Sequence, residues 1–236
     1  MMKALILNSG TGSRLGHITK THPKCMTVLD GKDTILSRQM RFLQGYVREV
    51  IITTGPYEEQ LRSCAESFEN DLSVRFVHNP DYRSTNYIYS IYLAREHLDD
   101  DLLLMHGDLV FAPDVLADIM RFQGSCAVTS SEQPLPEKDF KAVIRDGKIV
   151  KVGVDCFENA VFMQPLYKLL YPDWRLWLDE IGVFCKRGER GCYAENALNE
   201  VSDRCNILPF DIGMRLCGEI DTPEDLERMR SALGNA

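Results

Sequence analysis

The chain has 236 residues, 44% of them hydrophobic, and a formal net charge of −8. That length suits one α/β domain with a small elaboration, and the apolar share can bury a core without covalent staples. The acidic balance excludes a nucleic-acid backbone as the main partner, so an anionic ligand must be met by local Lys, Arg, backbone N–H groups or a metal.

In chain order, "KALILNS", "EVIITTG", "SVRFVHN" and "LLLMHGD" are predicted strands. Between them, "DTILSRQMRFLQG", "YEEQLRSCAESF" and "STNYIYSIYLAREHL" carry apolar residues at helical spacing, with Asp33 and Ser84 as predicted N-caps. Such alternation implies a mostly parallel sheet covered on both faces, with ligands bound beyond the carboxyl ends of the strands. Both "NSGTGSRLG" and "HGD" fall at those ends.

After about residue 123 the pattern changes. "CAVTSS" reads as a strand, "EQPLPEKD" as a loop, and "FKAVIRDGKIVKVGV" as a hairpin turning at Asp146-Gly147. "ENAVFMQP" is a further strand, and "LYKLLYPDWRLWLDEIGVFCK" a helix broken at Pro172. "CYAENALNEVS" and "PEDLERMRSAL" are the last helices. Trp174 and Trp177 stand at helical spacing and are assigned to packing, as are Tyr87, Tyr89 and Tyr92, with at most one of the tyrosines touching substrate.

Eight cysteines without a C-x-x-C pair make a zinc site or a disulfide framework unexpected. With no signal-peptide pattern, reduced thiols and a cytoplasmic location are expected. No apolar run approaches the length of a membrane span.

Glycines behind a first strand let backbone N–H groups approach phosphate oxygens. Arg14 and, in "THPKCM", Lys24 then supply the positive charge an acidic chain lacks. The stretch "LNSGTGSRLGHITKTHPKCM" resembles the signature of the nucleotidyltransferases that join an NTP to a phosphorylated small molecule and release pyrophosphate. "NPDYRSTNYIYSIYLA", "HGDLVF" and the terminal "GEIDTPEDLERM" are similar, in that order, to the cytidylyltransferase branch that activates phosphocholine.

The resemblance implies a three-layer Rossmann-like α/β fold with a mostly parallel (mixed) central sheet and a small inserted hairpin and helical region covering the acceptor. It implies one domain over 1–236, with 1–123 plus 206–236 as the nucleotide-binding core and about 124–205 as the acceptor-side elaboration. By the same resemblance, Leu7, Asn8, Ser9, Gly10 and Gly12 contact the nucleotide and Gly55 passes the base. Arg14 and Lys24 meet its phosphates, while Asn86 and Ser90 face the cytosine edge. Asp108 and Asp221, with Glu219 close by, hold Mg²⁺. The expected catalytic set is Arg14, Lys24 and Asp108. Asn8-Ser9 departs from the paired alanines of the family, and His106-Gly107 before the aspartate departs too.

The implied chemistry joins two anions, so metal, Lys and Arg offset repulsion and in-line placement supplies much of the rate. No general base is required, because the attacking oxygen is already ionised. In the phosphocholine enzymes a tryptophan precedes a phenylalanine before the hairpin; here Asp139 precedes Phe140. An aspartate suits a primary ammonium, which donates hydrogen bonds that a trimethylated nitrogen cannot. Lys141 is expected to add a contact to the acceptor's phosphonate or phosphate, and the resemblance, through "CYAEN", implies Tyr193 and Glu195 on the acceptor side. The reading is therefore transfer of CMP from CTP to 2-aminoethylphosphonate, with phosphocholine as the alternative acceptor. A non-catalytic nucleotide-binding module fits less well, since Arg14, Lys24, Asp108 and Asp221 occur together, and a sugar-phosphate nucleotidyltransferase fits less well given the short second half and the "STNYIYS" helix. No nucleic acid or membrane partner is expected; a homodimer is compatible with the reading.

Overall fold

The computed structural model describes residues 2–16, 18–31, 33–68 and 70–234. Along the chain, β1 (Lys3–Asn8) leads through the glycine loop to the short strands β2 (Val28–Asp30) and β3 (Asp33–Thr34) and to helix α1 (Ile35–Leu43). Then come β4 (Glu49–Thr54), α2 (Glu58–Glu66), β5 (Ser73–His78), α3 (Tyr87–Ala94) and β6 (Leu102–His106). β7 (Leu109–Phe111), α4 (Pro113–Arg121) and β8 (Ser125–Ser130) follow. The hairpin is β9 (Lys141–Arg145) with β10 (Lys148–Gly153), and β11 (Ala160–Leu169) precedes α5 (Tyr171–Lys186) and α6 (Ala194–Val201). β12 (Ile207–Asp211), β13 (Cys217–Glu219) and α7 (Pro223–Gly234) complete the described chain.

The main sheet has the order β10-β9-β11-β6-β1-β4-β5, with β8 pairing β11 and β12. Strands β6, β1, β4 and β5 run parallel, and β11 is antiparallel to β6, β8 and β9. Strand alternation sends neighbouring residues to opposite faces. Leu5, Ile51 and Leu104 pack with Ile88, Trp174, Trp177 and Leu198 from α3, α5 and α6. Ala4, Ile6, Ile52 and Leu103 pack with Leu36, Leu61 and Leu116 from α1, α2 and α4. The result is the expected three-layer α/β arrangement with a mostly parallel, mixed sheet.

Several expectations are corrected. Helix α1 is capped by Thr34, not Asp33: its Oγ1 accepts from Ser37 N at 3.1 Å while Ser37 Oγ accepts from Thr34 N at 2.8 Å. Helix α3 is capped by Asn86, whose Oδ1 accepts from Tyr87 N at 2.8 Å; Ser84 lies in the turn before it. Residues Leu166–Leu169, expected to be helical, continue β11 and pair with Leu102–Met105 of β6. Pro172 opens α5 instead of breaking it, because an N–H is dispensable in a first helical turn. Helix α4 was not assigned from the apolar spacing, yet it has Pro113 at its start and buries Val115, Leu116 and Ile119. The stretch 124–205 also contributes β8 and β11 to the main sheet.

The hairpin turns where expected, with positive φ at Asp146 and Gly147. Both tryptophans are fully buried and donate their ring N–H to backbone carbonyls of Leu98 and Ala194 at 3.2 and 2.8 Å. All eight cysteines are free, and burial pushes the Cys25 thiol well up, which suits a packing role. Among the described residues no helix is long and apolar enough to cross a membrane.

Candidate active site

Beyond the carboxyl ends of β1 and β6 lies a cavity of about 390 Å³. Leu7, Asn8, Ser9, Gly10 and Gly12 line one wall, with Arg14 and Lys24. Gly12 sits at φ +67°, and a Cβ there would press to 3.1 Å from the Lys24 Cγ. Gly55 is not in the cavity wall. It supports the loop from behind, where a Cβ would stand 2.2 Å from the Ser9 carbonyl oxygen. His22 Nδ1 lies 2.9 Å from the Pro23 carbonyl, beside Lys24.

The charged end is assembled by a small ribbon. Strand β13 pairs antiparallel with β7, setting Glu219 opposite Leu109, and Ile220 N donates to the Asp108 carbonyl at 3.0 Å. Asp108 and Asp221 thereby meet over a single ammonium: Lys24 Nζ donates to Asp108 Oδ2 at 2.7 Å and also to Asp221 Oδ1. Arg14 approaches the other Asp221 oxygen at 2.6 Å. The turn entering α7 holds Asp221 in place, since Asp225 Oδ2 accepts from its backbone N at 3.1 Å. Next to them, His106 Nδ1 and Glu219 Oε1 are 2.8 Å apart.

Burial works against the charges of Lys24, His106, Asp108 and Glu219, and for each the partners count as well. Burial raises the Asp108 carboxyl, but Lys24 and His106 outweigh it and hold it below the usual range. For Lys24, burial is outweighed by Asp108 and Asp221, and the ammonium is held above its ordinary value. Glu219 is pushed up to about 7 by burial and the Asp108 charge, although His106 pulls it back. His106 is raised to about 9, its burial outweighed by Glu219. Ligand atoms of His106, Asp108 and Glu219 lie within 4.8 Å of one another, a spacing that can hold a cation. Asp221, expected as a metal ligand, is outside that trio and engages Arg14 and Lys24 instead.

At the α3 end, Asn86 and Ser90 both line the cavity, as their spacing of one helical turn requires. Ser90 Oγ accepts from Asn79 Nδ2 at 3.0 Å, and Asn79 itself lines the wall. On the remaining side stand Lys138, Asp139, Phe140 and Tyr193, with Tyr87 beneath them. Phe140 and Tyr193 meet edge to face at 5.1 Å, and Tyr87 lies 6.0 Å from Tyr193 and 4.8 Å from the His106 ring. Burial, then the charges of Asp221 and Asp225, raise the Asp139 carboxyl.

Two expected acceptor residues do not reach the cavity. Lys141 is fully buried, and its ammonium donates to the carbonyls of Val154 and Glu137 and lies 4.1 Å from the Phe157 ring centroid. It ties the 137–157 segment together, and Lys138 is the cation that lines the wall. Glu195 is 1% exposed and accepts hydrogen bonds from the hydroxyls of Tyr87 and Tyr167, the latter at 2.7 Å. It orients Tyr87 from below. Glu195→Ala strands two buried hydroxyls and is expected to cost about 2 kcal/mol or more. Urea unfolding checks this, and a loss under about 0.5 kcal/mol would contradict it.

His106, Asn79, Lys138 and Tyr87 complete a site that motif reasoning left partial. His106 carried a signal: two residues before Asp108 at a strand end, the alternation of side chains puts it on the same side. Asn79 carried none, because its partner Ser90 lies on a different element. His17 lies outside the described residues.

Residues 4–190 match the family model described as MobA-like NTP transferase domain. Over 136 residues the chain is 36% identical to a CMP-5'-(3-aminopropyl)phosphonate synthase from Streptomyces rubellomurinus, covering 57% of this chain and 22% of that protein. Over 121 residues it is 31% identical to choline-phosphate cytidylyltransferase from Streptococcus pneumoniae, covering 51% of each. The aligned segments thus span about a fifth and about a half of these relatives' lengths. The solved structure of CTP:phosphocholine cytidylyltransferase from Streptococcus pneumoniae superposes with a TM-score of 0.81 at 21% identity, covering 98% of this chain and 99% of that one. That likeness shows the shared fold.

Proposed function

The chain belongs to the MobA-like NTP transferase domain family, and from that premise we propose that it transfers CMP from CTP to 2-aminoethylphosphonate, giving CMP-2-aminoethylphosphonate and pyrophosphate. The observation that carries the acceptor is Asp139, a carboxylate in the cavity wall beside the aromatic faces of Phe140 and Tyr193. A primary ammonium donates hydrogen bonds to a carboxylate and also lies well over aromatic faces. The similarity to a protein named as a CMP-aminopropylphosphonate synthase supports the same acceptor class. The aromatic faces favour one second reading, phosphocholine, whose trimethylated nitrogen needs no hydrogen-bond acceptor.

In this reading a phosphonate oxygen attacks the α-phosphorus of CTP. The new P–O bond forms as the bond from the α-phosphorus to its bridging oxygen breaks, and pyrophosphate leaves with the electron pair. The glycine loop holds the triphosphate through backbone N–H groups, while Arg14 and Lys24 neutralise it. Asn86 and Ser90 face the base. Residues 1–123 and 206–236 carry the donor, and the segment of about 124–205 carries the acceptor through Asp139 and Tyr193.

The residues fit a divalent cation. Asp108, Glu219 and Asp221 present hard carboxylate oxygens in one half-buried cluster, where burial and the Asp108 charge push Glu219 up to about 7. Asp108 and Glu219 would hold Mg²⁺, with Asp221 released to it when Lys24 and Arg14 turn to phosphate. When bound, the ion supplies charge neutralisation of the triphosphate.

Pyrophosphate release by the purified protein with Mg²⁺ tests the reading, using CTP, UTP or dTTP against 2-aminoethylphosphonate, phosphocholine and a sugar 1-phosphate. CTP with 2-aminoethylphosphonate is expected to lead. A strong preference for phosphocholine overturns the acceptor, and UTP or dTTP with the sugar phosphate overturns the whole assignment. Asp139→Asn is expected to raise the acceptor KM about tenfold or more, with the CTP KM little changed. Its effect on stability has a definite sign. The folded state holds the Asp139 proton more tightly than the unfolded chain, so ionisation destabilises the fold. The penalty is absent below the unfolded pKa and complete above the raised one, so the Asn variant should melt no lower than wild type at pH 7.

A further inference from the structure

Asn8 ends the first strand and Ser9 follows it, and each carries a buried polar side-chain atom without a partner among the described residues. Each is 8% exposed, and both line the cavity. Asn8 Nδ2 and Ser9 Oγ have no hydrogen-bond partner among the described residues. The Asn8 backbone is held by its N–H to Thr53 Oγ1 at 3.1 Å. Its carboxamide lies so closely on Gly107 that a Cβ there would fall 1.7 Å from Oδ1. A fold that tolerates an unpaired buried donor, and keeps a neighbouring glycine to make room for it, pays a penalty that a ligand can refund.

Position in the sheet identifies the ligand group. β1 lies between β6, which leads into Asp108, and β4, which neighbours β5 and leads to Asn79. Asn8 and Ser9 therefore separate the charged end, with Lys24 and Asp221, from the α3 end, with Asn86 and Ser90. The part of a nucleoside triphosphate between phosphates and base is its sugar. An amide donor beside a hydroxyl, which both donates and accepts, matches a vicinal diol. We infer that the Asn8 and Ser9 side chains form a ribose subsite that makes the protein select ribonucleotides over deoxyribonucleotides. The inference rests on the nucleotide reading above, but not on cytosine.

Titration calorimetry of the full chain with CTP, UTP, ATP and GTP, each beside its 2′-deoxy and 3′-deoxy counterpart, tests it. Wild type is expected to bind its preferred ribonucleotide about tenfold or more tightly than at least one deoxy form. Asn8→Ala should lose about tenfold on the ribonucleotide, leave the deoxy form unchanged and bring their ratio towards one. It should melt no lower than wild type, since it removes an unpaired group; a structural role predicts a lower melt with the ratio intact. Ser9→Ala provides the same ratio independently should the first variant fold poorly. Equal affinity of wild type for ribo and both deoxy forms, or an unchanged ratio in the variants, overturns the ribose subsite. If UTP, ATP or GTP binds in place of CTP, only the cytidine assignment fails and the ratio is read on that nucleotide. If none binds, the nucleotide reading fails and the subsite with it.

Discussion

Asp108→Asn is expected to lower turnover on the order of 10³-fold while shifting the melting midpoint by no more than a few degrees. The substitution preserves shape and leaves an amide oxygen to accept from Lys24, which sits 2.7 Å from the present carboxylate. It removes the charge that would hold the cation. Two opposing effects keep the fold nearly neutral to the change. The depressed Asp108 pKa means its ionised form stabilises the folded state at neutral pH, a contribution the amide lacks. Against that, after burial the Asp108 charge is the largest influence raising Glu219, and its removal relieves that repulsion. Pyrophosphate release and a thermal melt on the same preparation check both halves. Retention of more than a tenth of wild-type turnover would exclude Asp108 from the chemistry.

Lys24→Met separates charge from volume in the opposite direction. It leaves Asp108, Asp221 and Glu219 facing one another, with Arg14 on the rim as the nearest guanidinium; the Lys24 side chain is 12% exposed and that of Arg14 65%. Removing one partner from a buried ionic cluster costs about 3 kcal/mol or more, so a large fall in melting midpoint is expected here and not for Asp108→Asn. Turnover should also fall on the order of 10²–10³-fold, because the triphosphate loses its most buried cation. Without the Lys24 charge, Asp108 and Glu219 should hold protons more tightly than in the unfolded chain. Its stability should therefore rise as pH falls from 8 towards 5, and Mg²⁺ should raise its melt more than that of wild type. A melt unchanged from wild type and indifferent to Mg²⁺ would show that Lys24 is not the counter-charge of this cluster.

How far the sequence carries depends on what each residue type needs. Arg14, Lys24 and the loop glycines were legible because short-range geometry makes them a unit: within one excursion of chain, the Lys24 stem lies where a Cβ on Gly12 would come to 3.1 Å. Asp139 was legible as a carboxylate ahead of an aromatic residue, and it does line the cavity. Lys141 was read as a ligand contact from its charge and Glu195 from the family resemblance of "CYAEN", and neither signal reports burial. Lys141 spends its ammonium on backbone carbonyls, and Glu195 spends both oxygens on tyrosine hydroxyls. The helix expected from Leu166 failed for a related reason. Leu166–Leu169 is buried at every position, Lys168 included, because it is a strand covered on both faces, which periodicity does not separate from a buried helix.

Taken by itself, the sequence determines the strand–helix alternation, and with it a parallel sheet whose carboxyl ends carry the glycine loop and Asp108. That much follows from local patterning, since periods of 2 and 3.6 state which face of each element is apolar. Tertiary structure alone decides that β13 pairs with β7, and so that Glu219 and Asp221 stand beside His106 and Asp108. It also decides that Asn79 reaches Ser90 and that Asn8 is left unpaired above Gly107. These contacts join elements whose separation in the chain no local period records, and their energy comes from packing and charge compensation that exist only once the sheet has closed.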